Sequence, residues 1–233
     1  MINRKSEAKD GVLLSLSTHP YPQCVPKVTS QYIQRRRAEI LRAAWRCFAR
    51  DGFHAATMDD IISEAGVSPS VMYRWFRSKD ELVAAAAAEV WRGLIESLDN
   101  ILTIDPLPSV PEALEQILAN NVALANHEGV NLPALAVQVW AESLRNPDIH
   151  QLLADRFRHL NDGLAELVHR HQMSGTLSTE LDAEDVVRAL CSMLPGFVLQ
   201  QLMFGAQDPH LYARSADAIL RSAASGGAVS ESS

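Results

Sequence analysis

A stretch near the front of the chain carries small polar side chains and an arginine on one face of a predicted helix. In SPSVMYRWF (68–76), Ser70 and Arg74 lie four residues apart, whereas Met72 lies about 200° around the helix axis from Ser70. Met72 and Phe76 therefore point together toward a core, and Ser70 and Arg74 point away from it. Hydroxyl and guanidinium groups on a free helix face can hydrogen-bond to base edges and phosphates in a DNA major groove.

Two short predicted helices and a tight turn position that face. Thr57 can cap the first helix, with Asp60 three residues later as a weak capping box. Gly66 stands where a left-handed residue ends that helix. Ser68 can cap the second helix, and Pro69 suits its first turn. The pattern predicts a helix-turn-helix; the alternative is an ordinary helical hairpin in an all-α protein.

The stretch from RRRAEILRAAWRCFARDGFHAATMDDII through GVSPSVMYRWFRSKDELV, about 50 residues, resembles the DNA-binding domain of TetR-family transcriptional repressors. The C-terminal two-thirds of the chain resembles that family only in layout. The residues that stand at the family's spacing are Gly52, Phe53, Thr57, Ile61, Ala65, Gly66, Val67, Tyr73, Phe76, Lys79 and Leu82.

The resemblance implies an all-α protein with an N-terminal three-helix helix-turn-helix DNA-binding domain and a C-terminal helical ligand-binding and dimerisation domain. It also implies DNA contacts: Thr57 and Ser68 near phosphates, Pro69, Ser70, Val71 and Arg74 facing bases, and Tyr73 and Lys79 on phosphates. Asp59 departs from the pattern, because some relatives carry a groove-reading basic residue there, which puts a base contact at this position in doubt. For Trp75, the groove and the core remain open alternatives.

Helical periodicity continues along the rest of the chain. A first helix over about 31–50 carries arginines that fit phosphate contact and a solvated surface equally well. A capping box from Ser78 to Glu81 opens a long fourth helix that belongs to both domains. The predicted organisation is a flexible arm at 1–30, the DNA-binding domain at 31–77, the ligand-binding and dimerisation domain at 78–225, and a disordered tail at 226–233.

The charge of the chain is divided between its two parts. The net charge is −7, yet residues 27–92 carry a formal charge of +3 and residues 93–233 a charge of −11. This asymmetry indicates that only the front part approaches phosphates.

Cysteine use and hydropathy predict a cytoplasmic protein. Cys24, Cys47 and Cys191 are far apart and include no C-x-x-C, which fits a reducing compartment. No run approaches the roughly 18–20 apolar residues of a membrane span, and the apolar patch VLLSL near the start is too short for the core of a secretory signal. We therefore expect no membrane partner.

An enzyme built on an all-α bundle is one alternative class. Glu166 and His169 form an E-x-x-H unit of the kind found in di-iron bundles. Such a site needs a second E-x-x-H, which the sequence lacks, and no nucleophile elbow, P-loop or dinucleotide fingerprint occurs. We therefore expect no catalysis, metal or cofactor. A dimeric scaffold that does not bind DNA is the other alternative, and a DNA-binding assay distinguishes it.

Polar and aromatic residues of the back domain are candidates for an effector pocket, because pockets are mostly apolar with a few orienting polar groups. The candidates are Trp91, Asn120, Gln138, Trp140, Glu142, His159 and Gln200, each with core or surface packing as the alternative. The eighth predicted helix is apolar on more than one side, so one side packs in the core and the other needs a partner. The resemblance implies that a second subunit supplies this partner, in a homodimer through about 182–224. The expected partners are double-stranded operator DNA and a small, largely apolar effector.

Overall fold

The computed structural model describes residues 30–126 and 129–226, and this part of the chain is built from α-helices. The predicted arm and tail fall almost entirely outside the described residues. A short 3-10 turn at Leu124–Asn126 follows the fifth helix. The helices are α1 Ser30–Ala55, α2 Met58–Ala65, α3 Pro69–Trp75, α4 Lys79–Ile101, α5 Val110–Ala123, α6 Leu132–Ser143, α7 Pro147–Met173, α8 Ala183–Phe204 and α9 Pro209–Gly226.

The first three helices bury apolar side chains in a core that continues into the C-terminal helices. The regular geometry of α1 breaks at Gly52, where φ is 78°. Phe53 then packs edge-to-face on Phe48, with ring centroids 4.9 Å apart. Met72 and Phe76 from the α3 segment are also buried, as the helical spacing predicts. Burial of these side chains fixes the orientation of α3, so its opposite face is left free.

The turn between α2 and α3 depends on Gly66. Its backbone is left-handed, with φ 59° and ψ 40°, and its N–H donates to the carbonyls at the end of α2. A side chain is strained in this conformation, which explains why glycine suits the position. The predicted helix-turn-helix is therefore present.

Helix α4 runs from the helix-turn-helix into the rest of the molecule. Ser78 caps it by accepting from the Glu81 backbone N–H at 3.2 Å. The predicted reciprocal half of the capping box is wrong, because the Glu81 carboxylate accepts instead from the Arg77 N–H at 2.7 Å. The Arg77 N–H comes one residue before the cap residue Ser78, within reach of the Glu81 carboxylate. Further along α4, Trp91 and Leu98 are buried among the C-terminal helices.

The C-terminal helices form a bundle in which α4 and α7 approach closely at Gly163. A Cβ placed on Gly163 would lie 2.6 Å from Leu98 Cδ2 and 3.2 Å from Leu98 Cγ. Leu98 is fully buried, so only glycine lets the two helices pack at this separation.

The expectation that no apolar run is long enough for a membrane span is wrong for helix α8. Among the described residues it is one helix, Ala183–Phe204, with the length and mean hydropathy, 1.4, of a membrane span. Seven of its residues are nevertheless buried against the bundle, including Phe197 and Val198. Its other side exposes Leu199, Met203 and Phe204. Helix α8 is therefore apolar on two faces: one packs in the core, and the other is exposed.

Candidate nucleic-acid interface and internal cavity

Helix α3 is short and is stabilised at its start. Ser68 Oγ accepts from the Val71 N–H at 3.4 Å and lies 3.0 Å from the Ser70 hydroxyl. Pro69 occupies the first turn, where its missing N–H leaves no unpaired donor. These local contacts hold a helix of only seven residues in place without using its central side chains.

The free face of α3 presents hydrogen-bonding groups to solvent. Ser70 and Arg74 are exposed, and the Tyr73 side chain is 50% exposed. The Arg74 guanidinium stacks 5.8 Å from the Trp75 ring centroid, and no carboxylate of the described residues pairs with it. Trp75 itself packs against the core, which answers the question that the sequence left open. Arg74 is therefore held but still available to a partner.

Helix α2 begins with a complete capping box. The Thr57 hydroxyl and N–H donate to the Asp60 carboxylate at 2.6 and 2.9 Å, and the Asp60 N–H donates back to the Thr57 hydroxyl at 3.1 Å. The hydrogen bonds from Thr57 lower the pKa of Asp60 below its ordinary value. The box predicted as weak is fully formed, because the shorter aspartate side chain still reaches the Thr57 amide.

Lys79 links the start of α4 to the end of α1. Its Nζ donates to the His54 carbonyl at 3.0 Å. The His54 ring lies 3.3 Å from the Glu142 carboxylate of α6. The resemblance predicts Lys79 as a phosphate contact, and the structure adds a contact within the protein. Through its carbonyl and its ring, His54 contacts both Lys79 and Glu142 of the C-terminal bundle.

Several arginines of α1 are paired with acids. Arg46 donates to Glu64 at 2.6 Å, and Arg50 donates to Asp51 at 2.8 Å. The Arg46–Glu64 pair joins α1 to α2, whereas Arg50 and Asp51 both belong to α1. Both guanidinium charges are therefore balanced by nearby carboxylates at the protein surface. The structure favours the solvated interpretation for these two side chains.

The C-terminal bundle encloses an apolar cavity with a free volume of about 80 Å³. Trp91 and Phe157 pack against each other within its wall, with ring centroids 5.0 Å apart. Burial raises the pKa of the Cys191 thiol in the wall to about 11, so this group is neutral. None of the described lining residues is charged. They are Trp91, Gly93, Leu94, Ile117, Leu118, Asn120, Asn121, Leu124, Leu132, Pro133, Ala136, Trp140, Phe157, Leu160, Cys191, Leu194, Pro195 and Val198.

Three of the predicted pocket residues, Trp91, Asn120 and Trp140, line this cavity. The Asn120 amide donates to the Ser97 hydroxyl at 2.6 Å. The other four lie elsewhere. Gln138 approaches Gly52, and Glu142 pairs with His54.

The last two of the four are at the surface. His159 lies 3.3 Å from Asp99 at an exposed position, and Gln200 is exposed on α8. Sequence reasoning did not select Asn121 or Phe157. Asn121 stands next to a selected residue, whereas no local pattern marks Phe157, because its neighbour Trp91 is distant in the sequence.

Among the described residues, no group of three or more histidine, cysteine or acidic side chains is placed to hold a metal. A free helix face next to a tight turn, on a helical domain with an internal cavity, is the arrangement of helix-turn-helix regulators.

Comparisons with known proteins agree with this class. A family described as "Bacterial regulatory proteins, tetR family" matches residues 40–86, and "BetI-type transcriptional repressor, C-terminal" matches residues 111–225. Together the two matches span most of the chain. The protein therefore belongs to the TetR family of bacterial regulators; it is a ligand-responsive DNA-binding transcriptional regulator, and this family is not enzymatic.

Individual relatives are distant but cover most of the length. The HTH-type transcriptional regulator UidR of Escherichia coli K12 is 25% identical over 163 residues, which is 70% of this chain and 80% of that protein. The HTH-type nicotine-responsive transcriptional repressor HdnoR of Paenarthrobacter nicotinovorans is 28% identical over 170 residues, 71% and 82% of the two chains. The solved structure of Salmonella enterica GusR has a TM-score of 0.64 and 25% identity, and the match covers 86% of this chain and 97% of that one.

Proposed function

We propose that the protein is a repressor that binds a pseudo-palindromic operator as a homodimer and is released from it by a small, largely apolar molecule. Its DNA-binding domain is 31–77, and its ligand-binding and dimerisation domain is 78–225. The observation that supports the proposal is the pairing of a free, polar α3 face with an uncharged cavity further along the same chain. The cytoplasm is the compartment where such a regulator meets DNA.

At the DNA, the proposal assigns different roles to different groups. Pro69, Ser70, Val71 and Arg74 face the bases of the major groove, where hydrogen bonds discriminate between sequences. Tyr73 and Lys79 contact phosphates, which position the helix without reading sequence. Thr57 and Ser68 lie near phosphates at the starts of their helices, where backbone N–H groups favour anions.

Dimerisation supplies the second half-site. One seven-residue helix contacts few base pairs, and two copies related by a two-fold axis contact half-sites about 34 Å apart. The outer face of α8 and α9 carries exposed apolar side chains, among them Met203, Phe204 and Ile219, which are 70%, 74% and 55% exposed. A second copy of the chain packed on this face would remove them from water.

The small size of the cavity links ligand binding to movement of the helices around it. A cavity of roughly 150 Å³ is known to hold benzene, whereas this cavity offers about 80 Å³. An aromatic or similarly sized effector must therefore push its walls apart. Two of those walls lead to the DNA-binding domain: α4 carries both Trp91 and Lys79, and α6 carries both Trp140 and Glu142.

Release then follows from a preference of the effector for the widened state. A coupling of about 1–3 kcal/mol corresponds to a 5- to 150-fold change in operator affinity. The effector acts only by binding the arrangement that fits DNA poorly. In a dimer, a small tilt of α4 or α6 changes the separation of two α3 helices that must match fixed half-sites.

The test has two stages. Selection of bound sequences from random duplex DNA should yield an inverted repeat, and a compound screen on that complex should yield molecules that lower operator affinity. Recovery of no preferred sequence would contradict the DNA-binding role. A screen in which every compound that binds the C-terminal bundle leaves operator affinity unchanged would contradict the switch.

A further inference from the structure

Three polar atoms in residues that line the cavity have no hydrogen-bond partner within the described part of the protein. They are the indole Nε1 atoms of Trp91 and Trp140 and the amide Oδ1 of Asn121. All three atoms are screened from solvent, and the Trp91 side chain is only 5% exposed. A buried polar group without a partner destabilises the protein, so a ligand that pairs with it gains affinity.

The three atoms define a complementary set of ligand groups. An indole Nε1–H is a donor only, and a carbonyl oxygen is an acceptor only. A single hydroxyl group satisfies both kinds, because its oxygen accepts from an N–H while its hydrogen is donated to a carbonyl. The neighbouring Asn120 donates its side-chain N–H to Ser97, and the buried carbonyl oxygen without a partner is that of Asn121, so Asn121 supplies the acceptor.

Charge and shape restrict the rest of the ligand. No described lining residue is charged, and a net charge on the ligand would be buried without a compensating group. Trp91 and Phe157 lie 5.0 Å apart between ring centroids, and Trp140 adds a third aromatic ring to the wall. Aromatic walls pack best against a flat ring. Cation–π attraction to these rings is the competing preference, but a cation offers no acceptor to the indole N–H groups.

We propose that the effector class is a neutral hydroxylated aromatic molecule, of which phenol is the simplest member, bound among Trp91, Trp140, Phe157 and Asn121. This inference rests on the proposed ligand-induced release from DNA. It adds the chemistry that the effector must carry: one flat ring, at least one hydroxyl group and no net charge.

The test uses the full chain and four one-ring probes measured by isothermal titration calorimetry. The probes are phenol, toluene, benzoate and phenyltrimethylammonium. Phenol should bind more tightly than toluene by roughly 2- to 10-fold for each hydrogen bond formed, and both charged probes should bind more weakly than phenol. Equal binding of phenol and toluene, tightest binding of the cation, or no binding of phenol up to its solubility would each overturn the inference.

Substitutions that remove one N–H and keep an aromatic ring locate the hydrogen bonds. Trp91→Phe and Trp140→Phe should reduce the preference for phenol over toluene in at least one of the two variants. Trp45→Phe is the matched control, because Trp45 Nε1 is also buried without a partner but does not line the cavity. An unchanged preference in both cavity variants would overturn the assignment of the donors.

Operator binding separates this inference from the function on which it rests. Phenol that binds the cavity with the predicted preference, yet leaves operator affinity unchanged, supports the ligand chemistry and counts against release by this ligand class. Release of the operator by a different compound, undiminished in Trp91→Phe and Trp140→Phe proteins that do not bind phenol, preserves the proposed function and overturns the ligand class.

Discussion

At the scale of single residues, Arg74 and Lys79 show that neighbouring basic groups have different surroundings. Arg74 is exposed on the free face of α3 and stacks 5.8 Å from the Trp75 ring centroid. Lys79 is half-buried, and its ammonium donates to the His54 carbonyl. The first side chain can enter a groove, whereas the second is held at a junction between helices. Their substitutions should therefore have different consequences.

Arg74→Ala should weaken binding to the selected operator by about 1–3 kcal/mol and relax sequence preference, because a base contact is lost. Affinity for random duplex DNA should change less. Fluorescence anisotropy with both DNAs provides the measurement, and Arg158→Ala is the control, since Arg158 is exposed on α7 and paired with Asp155. An equal loss on both DNAs would mean that Arg74 contacts phosphate.

Lys79→Ala should weaken binding to all sequences alike and lower the slope of log affinity against log salt by roughly one. The lost hydrogen bond to His54 should also lower the free energy of unfolding, by about 1 kcal/mol or less. Titrations at several salt concentrations measure the slope, and urea unfolding measures stability. An unaltered salt slope, with only stability reduced, would leave Lys79 as a structural residue.

At the scale of elements, short helices depend on their ends and long helices on their packing. Helix α2 has eight residues and is held by the Thr57–Asp60 box and by Gly66. Helices α4 and α7 have 23 and 27 residues and are held by burial and by their close approach at Gly163. The two kinds of element should respond to different perturbations.

The capping box of α2 should make stability depend on pH in a defined direction. Because hydrogen bonds from Thr57 lower the folded-state pKa of Asp60, the stability that this group contributes is present above the unfolded-state pKa of about 4. It is lost as the pH falls through the lowered pKa. The destabilisation caused by Asp60→Ala should therefore shrink between about pH 6 and about pH 3.

Urea unfolding across that pH range measures the effect. Thr57→Ala should destabilise the protein by about 0.5–2 kcal/mol at neutral pH through loss of the cap. Asp59→Ala is the matched control, because Asp59 is in the same first turn but makes none of the cap hydrogen bonds. The same pH dependence in the Asp59 and Asp60 variants would show that the box is not its source.

Gly163→Ala should destabilise the bundle although alanine favours helices by about 1 kcal/mol over glycine. The new Cβ would lie 2.6 Å from a side-chain carbon of the fully buried Leu98, and overpacking of this kind costs about 1–3 kcal/mol. Gly93→Ala is the control on α4, since its Cβ would meet Leu124 at an ordinary 3.8 Å. Thermal unfolding should show a lower midpoint for the first variant and an unchanged or higher one for the second.

At the scale of the whole molecule, the proposed function requires two couplings: between two copies of the chain, and between the cavity and α3. The apolar outer face of α8 and α9 supports the first. The contacts of α6 support the second, because this helix lines the cavity at Trp140 and its Glu142 carboxylate lies 3.3 Å from the His54 ring of the DNA-binding domain.

Phe204→Glu should shift the dimer toward monomer and reduce operator affinity with it. A charge on the proposed interface leaves a buried carboxylate without a partner in the dimer. Leu144→Glu is the control, because Leu144 is 84% exposed but lies outside α8 and α9. Analytical ultracentrifugation measures the association. A variant that stays dimeric, or a wild-type monomer that binds the operator fully, would contradict the interface.

Glu142→Gln should reduce the effect of an effector on operator affinity, by about 0.5–2 kcal/mol of coupling, while the affinity for the effector itself stays unchanged. The contact between the Glu142 carboxylate and the His54 ring links the two domains. Asp99→Asn is matched to it, since Asp99 lies at the same 3.3 Å from His159 but within the C-terminal bundle. Equal coupling in both variants and in the wild type would show that the Glu142–His54 contact does not transmit the effect of the effector. Helix α4 would then remain as the link between the cavity and the DNA-binding domain.

The sequence by itself determined the helical class, the helix-turn-helix and the free face of α3. These features depend on residues close together in the chain: Thr57 with Asp60, Gly66 at the turn, and Met72 with Phe76 four residues apart. Local hydrogen bonds and helical periodicity fix them, so they can be predicted without knowing the rest of the fold.

Only the tertiary structure decided which residues share the cavity and which connect the domains. The cavity wall joins Trp91 of α4 to Phe157 of α7 and Cys191 of α8, and such residues are brought together by helix packing rather than by spacing in the chain. For the same reason Gln138 and Glu142, predicted as pocket residues, lie instead toward α1. Successive residues of α6 are about 100° apart around the helix axis, so a position one or two residues away faces the neighbouring domain instead of the cavity.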